Sequence, residues 1–207
     1  NKYEVIFTYH HNEEKALEIT SKYHIKGYYL DLGDKESIEK LVDSIDNIDI
    51  LINNAAICLD NSFEDKTYIE FSKVVNVNLT GTYYLTKLLS KKINNGGNIL
   101  FISSTNGIDT CYIESIDYDA SKAGVISLMH NFAKQLAPIR VNAIAPGWVD
   151  TEMNASMSDK FKKKEEEHIL LKRFASPEEI SKVINFVVSD DASYINGTIV
   201  VADGGRK

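Results

Sequence analysis

At 207 residues, 43% hydrophobic and 26% charged, the chain has the composition of one ordinary globular domain over residues 1–207, and disorder is disfavoured. A net charge of −7 with no long basic block argues against nucleic acid or an anionic membrane surface as the main partner. No apolar run approaches the ~20 residues of a membrane helix, and two cysteines without a hydrophobic leader fit a reducing compartment, so a cytoplasmic location is expected.

Short β-branched or aliphatic runs alternate with amphipathic stretches. This predicts an α/β fold: a doubly wound parallel sheet with helices on both faces, in three layers. Residues 4–9 read as the first strand. Asn12 caps the following helix, whose apolar positions Ala16, Leu17 and Ile19 are followed by the breaker Gly27. Residues 28–30 are the next strand. Asp34 opens a helix with Ile38, Leu41, Val42 and Ile45 on one face, and residues 48–52 form a buried strand ending in Asn53 and Asn54. A long helical region over 68–93 leads through Asn94, Asn95, Gly96 and Gly97 into strand 98–102, which ends in Ser103 and Ser104. Helix 118–136 stops near Pro138, strand 139–143 follows, and Pro146 with Gly147 turns the chain. Residues 150–176 are the least regular. They suit a substrate lid, although Lys162 to Glu166 and Lys163 to Glu167 also have the i, i+4 spacing of a solvated helix face. Helix 177–188 and strand 198–202 close the pattern.

Ligands of such a sheet bind outside the carboxyl ends of its strands, so Asn53, Asn54, Ser103, Ser104 and residues 146–151 should meet at one crevice. On the helix after the Ser103–Ser104 strand, Tyr118 and Lys122 share a face. An ammonium beside a phenol favours the phenolate, drawing a pKa of about 10 toward neutrality, as a proton donor or acceptor for a carbonyl/alcohol pair requires. Tyr83 and Lys87 repeat the spacing, so spacing alone decides nothing; the context of the Tyr118 helix separates the two. The five histidines show no metal-ligand pattern, and no metal is expected. Cys58 and Cys111 lack any partner signature.

Asp31, Asn53-Asn54-Ala55-Ala56, Asn76-Val77-Asn78-Leu79, Ile102-Ser103-Ser104, Tyr118 to Lys122, Arg140-Val141-Asn142, Pro146-Gly147 and Asp203-Gly204-Gly205 occur in that order. Together they resemble the motifs of the short-chain dehydrogenase/reductase family over nearly the whole chain. Residues 136–147 are most similar to 3-oxoacyl-acyl carrier protein reductases. The resemblance implies a Rossmann-type fold and hydride transfer between a nicotinamide dinucleotide and a carbonyl or secondary alcohol, on a small carbonyl or acyl substrate. Carried over by position, Tyr118 is the general acid, Lys122 lowers its pKa and touches the nicotinamide ribose, Ser104 bonds the substrate carbonyl, and Asn78 holds a water that links Lys122 to solvent. Asp31 and Leu32 would lie along the adenine, with Asn53, Ala55 and Ala56 near the ribose and pyrophosphate. Pro146, Gly147, Val149 and Thr151 would meet the nicotinamide side. The family also implies a homo-oligomer, dimer or tetramer, pairing through the helices of residues 68–93 and 118–136.

The sequence departs from the family at three places. The Gly-rich turn after the first strand is absent, because residues 1–9 already resemble the second strand; an open apolar slot in the sheet would be costly, which favours residues upstream of Asn1. Ser104 and Tyr118 stand one position further apart than in the family, and Ala56 replaces a glycine. At the end of strand 4–9 stand Thr8, Tyr9, His10 and His11 with no acid to repel a 2′-phosphate, so NADP(H) is expected in preference to NAD(H). The competing expectation is a cofactor-free pseudoenzyme or scaffold of the same fold.

Overall fold

The computed structural model describes residues 3–154 and 157–206. Strand β1 (Ile6–Tyr9) pairs with β2 (Lys26–Tyr29), and β3 (Ile48–Asn53), β4 (Ile93–Ile102), β5 (Arg140–Pro146) and β6 (Ile199–Ala202) pair in that order. Every one of these pairings is parallel. Parallel neighbours need crossovers, supplied mainly by α1 (Glu13–Tyr23), α2 (Lys35–Ser44), α3 (Tyr68–Val75), α4 (Thr82–Leu89), α5 (Ile116–Gln135), α6 (Asp159–Glu167) and α7 (Pro177–Val188). The result is the expected α/β arrangement of parallel strands flanked by helices, with the described strands hydrogen-bonded as a pair and a set of four instead of one continuous sheet.

Period-2 alternation sorts the strand side chains into layers. Ile99, Phe101, Val141 and Ala143 pack against Val125, Met129 and Phe132 of α5. On the opposite face, Leu100 and Ile144 meet Val187 and Val188 of α7. A third cluster joins Leu30 and Leu32, just past β2, to Ile38, Leu41 and Val42 of α2 and to Leu85 and Leu89 of α4.

Four local expectations change. Gly27 lies inside β2, where the Phe7 ring covers it and a Cβ would come within 2.8 Å of that ring; the left-handed turn that ends α1 is taken by His24 at φ 55°. The single helix expected over 68–93 is interrupted by a π-helical segment, Asn76–Gly81, between α3 and α4. Gly81 sits so close to Leu32 that any Cβ would collide with its carbonyl oxygen, a packing constraint that local periodicity cannot report. Residues 94–97 form an irregularity within β4, not a turn before it: Ile48 pairs with Ile93, and the ladder resumes with Ile50 on Asn98. Strand β5 extends to Pro146, which delivers the Gly147 turn directly to the sheet's carboxyl edge.

Candidate active site

The end of β4 and the start of α5 are joined through backbone. The Ser103 hydroxyl donates to the Lys122 carbonyl at 2.9 Å, and Gly107 lies against the backbone of Lys122, where a Cβ would come within 2.7 Å. Ser104 stands close enough to Tyr118 for its hydroxyl to lower the pKa of the phenol, and it accepts from the Asn106 N–H at 3.2 Å. One helical turn on from Tyr118, the Lys122 ammonium lies 5.4 Å from the phenol ring centre and donates to the Ile102 carbonyl at 2.7 Å. Ser104, Tyr118 and Lys122 thus converge at the carboxyl edge of the sheet.

Lys122 is only 4% exposed, and burial lowers its pKa to about 8. The Tyr118 phenol moves opposite to the simple expectation from the lysine. Burial raises it most, and Cys58, Asp119 and Asp60 raise it further, with the Ser104 hydrogen bond pulling the other way. An ammonium that is itself desolvated does not outweigh burial plus neighbouring acids.

Asn78 stands in the π-helical segment, fully buried. Its side chain accepts from Ile57 N–H at 2.8 Å and donates to Ile57 C=O at 2.8 Å and to Ser121 at 3.1 Å. These bonds engage the side chain assigned to water by resemblance. Asn53 donates to Thr86 at 3.0 Å, so the strand end that carries exposed Ala55 and half-buried Ala56 is fastened to α4. Gly147 turns against Asp203, with a Cβ position 3.0 Å from its Cα; Val149 bridges Ala175, and Thr151 is exposed. Asp31 and Leu32 lie just past the end of β2, where the Leu32 backbone faces Gly81 of the π-helical segment. The Asp31 carboxylate caps the Gly33 N–H and lies 3.4 Å from His10, whereas the Leu32 side chain is core. In the expected lid, residues 159–167 form α6; Ala155 and Ser156 lie outside the described residues.

Sequence reasoning missed the residues that hold this site in place. The carboxylates flanking Tyr118 are both engaged: Asp117 with Lys66, and Asp119 with Asn106 and the Tyr112 N–H. Acids immediately before and after a candidate proton donor were a visible signal, but their partners lie far away in the chain. Trp148 stacks on Phe174 and meets Phe161 and Tyr112 edge-on, while its ring N–H donates to Glu165, which also pairs with Arg206. Cys58 bonds Asp60, and burial pushes its thiol up to about 12, which makes it a poor nucleophile. The decoy tyrosine, Tyr83, stacks on Phe132 and is remote from Ser104 in its packing. Among the described residues, no group of three His, Cys, Asp or Glu is placed to hold a metal, and no helix is long and apolar enough to cross a membrane.

The family model described as enoyl-(acyl carrier protein) reductase matches residues 1–207. The chain is a short-chain dehydrogenase/reductase. The chain is 40% identical over 200 residues to the 3-oxoacyl-[acyl-carrier-protein] reductase FabG of Aquifex aeolicus, covering 92% of this chain and 80% of that one. It is 36% identical over 203 residues to FabG of Haemophilus influenzae, covering 93% and 84%. Among solved structures, a short chain dehydrogenase from Bacillus anthracis superposes with a TM-score of 0.86 at 32% identity, covering 98% of this chain and 85% of that one. BdcA in complex with NADPH superposes at 0.93 with 23% identity, covering 98% and 84%, a likeness of fold. The chain is therefore an oxidoreductase enzyme of this family.

Proposed function

We propose that this reductase reduces the keto group of 3-oxoacyl thioesters with NADP(H). The observation that carries the reading is the convergence of Ser104, Tyr118 and Lys122 on one edge of the sheet, in a chain 36–40% identical to enzymes named for that reaction. The donor set suits a nicotinamide dinucleotide at its two ends. Lys122 spends one N–H on Ile102 and keeps donors for a ribose diol, and the adjoining rings of His10 and His11 offer ring N–H donors to a 2′-phosphate, which the Asp31 carboxylate 3.4 Å from His10 opposes. Asn53, Ala55, Ala56, Pro146, Gly147, Val149 and Thr151 line the strand ends between and beyond them. Asn53, Ala55 and Ala56 pass along the pyrophosphate side, and no glycine-rich turn opening a helix after a strand stands in the sequence to cradle it.

When bound, the dinucleotide supplies the hydride for the carbonyl carbon. Tyr118 delivers a proton to the carbonyl oxygen, and the Ser104 hydroxyl donates a hydrogen bond to the same oxygen. Lys122 in its ammonium form stabilises the charge left on the phenol. The same geometry run backward oxidises an alcohol. Lys122 is buried beside the half-buried Tyr118, which limits the water that reaches that proton.

Exposed Tyr68, Ile69 and Tyr83, on the helices that follow β3, suit a homo-oligomer contact; a single monomeric species in sedimentation would remove that part of the reading. The test of function is a fluorescence titration with NADPH and then NADH, followed by NADPH consumption with acetoacetyl-CoA. Saturable binding tighter for NADPH, with turnover, is expected. Absence of both in the folded chain would overturn the reading in favour of a cofactor-free scaffold.

A further inference from the structure

Behind Tyr118 lies an ion pair that the proton transfer does not use. Lys66 Nζ is 3.0 Å from Asp117 Oδ2, and the two side chains are 5% and 0% exposed. Burying both ions forfeits their hydration, and an apolar pair of similar volume often serves stability as well or better. The bonds that surround the pair give it a different use. Asp117 Oδ1 accepts the Tyr118 N–H at 2.9 Å, and the Lys66 ammonium also donates to the Leu59 carbonyl. One ionic bridge therefore ties residues 57–66 to the first turn of α5, at the backbone of Tyr118 itself.

The rest of that loop is fixed at its start, where Asn78 holds both backbone groups of Ile57. Between the two anchors, Cys58 and Asp60, which both act on the Tyr118 phenol, are bonded to each other and to Ser115. On the far side of Tyr118, Asp119 holds Asn106 at 2.7 Å and the Tyr112 N–H at 2.9 Å, fastening the segment that begins at Ser104. The first turn of α5 is thus clamped to both loops that flank the phenol, and the Lys66 arm is the one made of buried charge.

We propose that Lys66 and Asp117 are positioning residues, which fix Tyr118 against residues 57–66 in the geometry that proton transfer requires. The inference rests on the reading of Tyr118 as proton donor. An ionic bridge suits this task because a misplacement of about 1 Å at a reacting group costs up to ~10²-fold in rate.

The test compares the full chain with Lys66→Met, Lys66→Arg and the double variant Lys66→Met/Asp117→Leu. In Lys66→Met, kcat with NADPH and acetoacetyl-CoA is expected to fall about tenfold or more while KM stays within about twofold. Lys66→Arg should recover most of kcat, since a guanidinium can pair with the same carboxylate. If Lys66→Met does not fold, the double variant, which buries no charge, carries the test and should show the same deficit at a wild-type melting temperature. A folded Lys66→Met or double variant with wild-type kcat overturns the proposal, as does a folded Lys66→Arg that recovers nothing. Hydrogen exchange supplies a readout free of turnover. Amides of residues 57–66 should exchange roughly tenfold faster in Lys66→Met or the double variant with β4 and β5 unchanged, and unchanged exchange overturns the tether. A wild type that binds no coenzyme and turns over nothing would instead sink the reductase reading, leaving the exchange comparison to judge the tether alone.

Discussion

Burial and nearby acids hold the Tyr118 phenol protonated well above neutral pH, so in the reductive direction its proton is in place before substrate arrives. Replacing Tyr118 with Phe removes that proton and leaves the ring. Turnover should fall roughly 10²–10⁴-fold, with little change in the melting temperature, and steady-state kinetics beside calorimetry check both. Lys122 sets a pH limit of a different kind. Its ammonium is present below about 8 and lost above it, so the reductive rate should decline as pH rises through that value, a limb that Lys122→Met abolishes. The same shift enters stability. Lys122 titrates at about 8 in the fold against 10.5 ordinarily, so between those values the unfolded chain binds more protons and stability rises with pH. Urea midpoints of wild type should therefore gain on those of Lys122→Met between the two values and run parallel below them. The pairing of Tyr118 with Lys122 was legible from spacing and context. The upward direction of the phenol's shift was not, because it depends first on burial and then on Cys58 and Asp60, which arrive from another loop.

At the scale of elements, caps and periodicity were the readable part. Asn12 and Asp34 cap α1 and α2 through their side chains, as their placement before apolar repeats implies. Helix α7 begins at Pro177 behind a capping box of Ser176 and Glu179 and ends at Val188, the bounds read from sequence. The helix expected over 68–93 is broken by an interruption imposed from outside: Gly81 meets the Leu32 backbone, and Asn78 is drawn to Ile57. A methyl group at Gly81 has no flexible neighbour to displace. Gly81→Ala should accordingly cost about 3 kcal/mol or more, read as a fall in the urea midpoint at constant slope. An unchanged midpoint would mean that the π-helical segment yields freely.

Across the whole molecule, hydrogen bonding divides the strands unevenly. β4 and β5 each have neighbours on both sides, and the described residues place β1 and β2 in a pair of their own. Ile6 of β1 and Ile52 of β3 are 38% and 41% exposed, against 0% to 1% for Ile99, Phe101, Val141 and Ile144. Apolar burial and ladder bonding both favour β4 and β5, so their amides should exchange slowest and those of β1 and β2 much faster. Equal protection across all strands, measured by native-state exchange, would show the small pair to be as firmly held as the large sheet.

Strand and helix order, the parallel sheet, most caps and the Tyr118–Lys122 spacing follow from periodicity and turn chemistry, which act over a few residues and so can be read from sequence. The motif order that marks the family is likewise written in the chain. Which tyrosine–lysine pair faces Ser104, which acids surround the phenol, and what holds it in place are settled by contacts between residues tens of positions apart. Lys66 and Asp117 show the reason most plainly: as separate charges in the sequence each looks solvated, and only the fold, by removing water from both, makes them a pair.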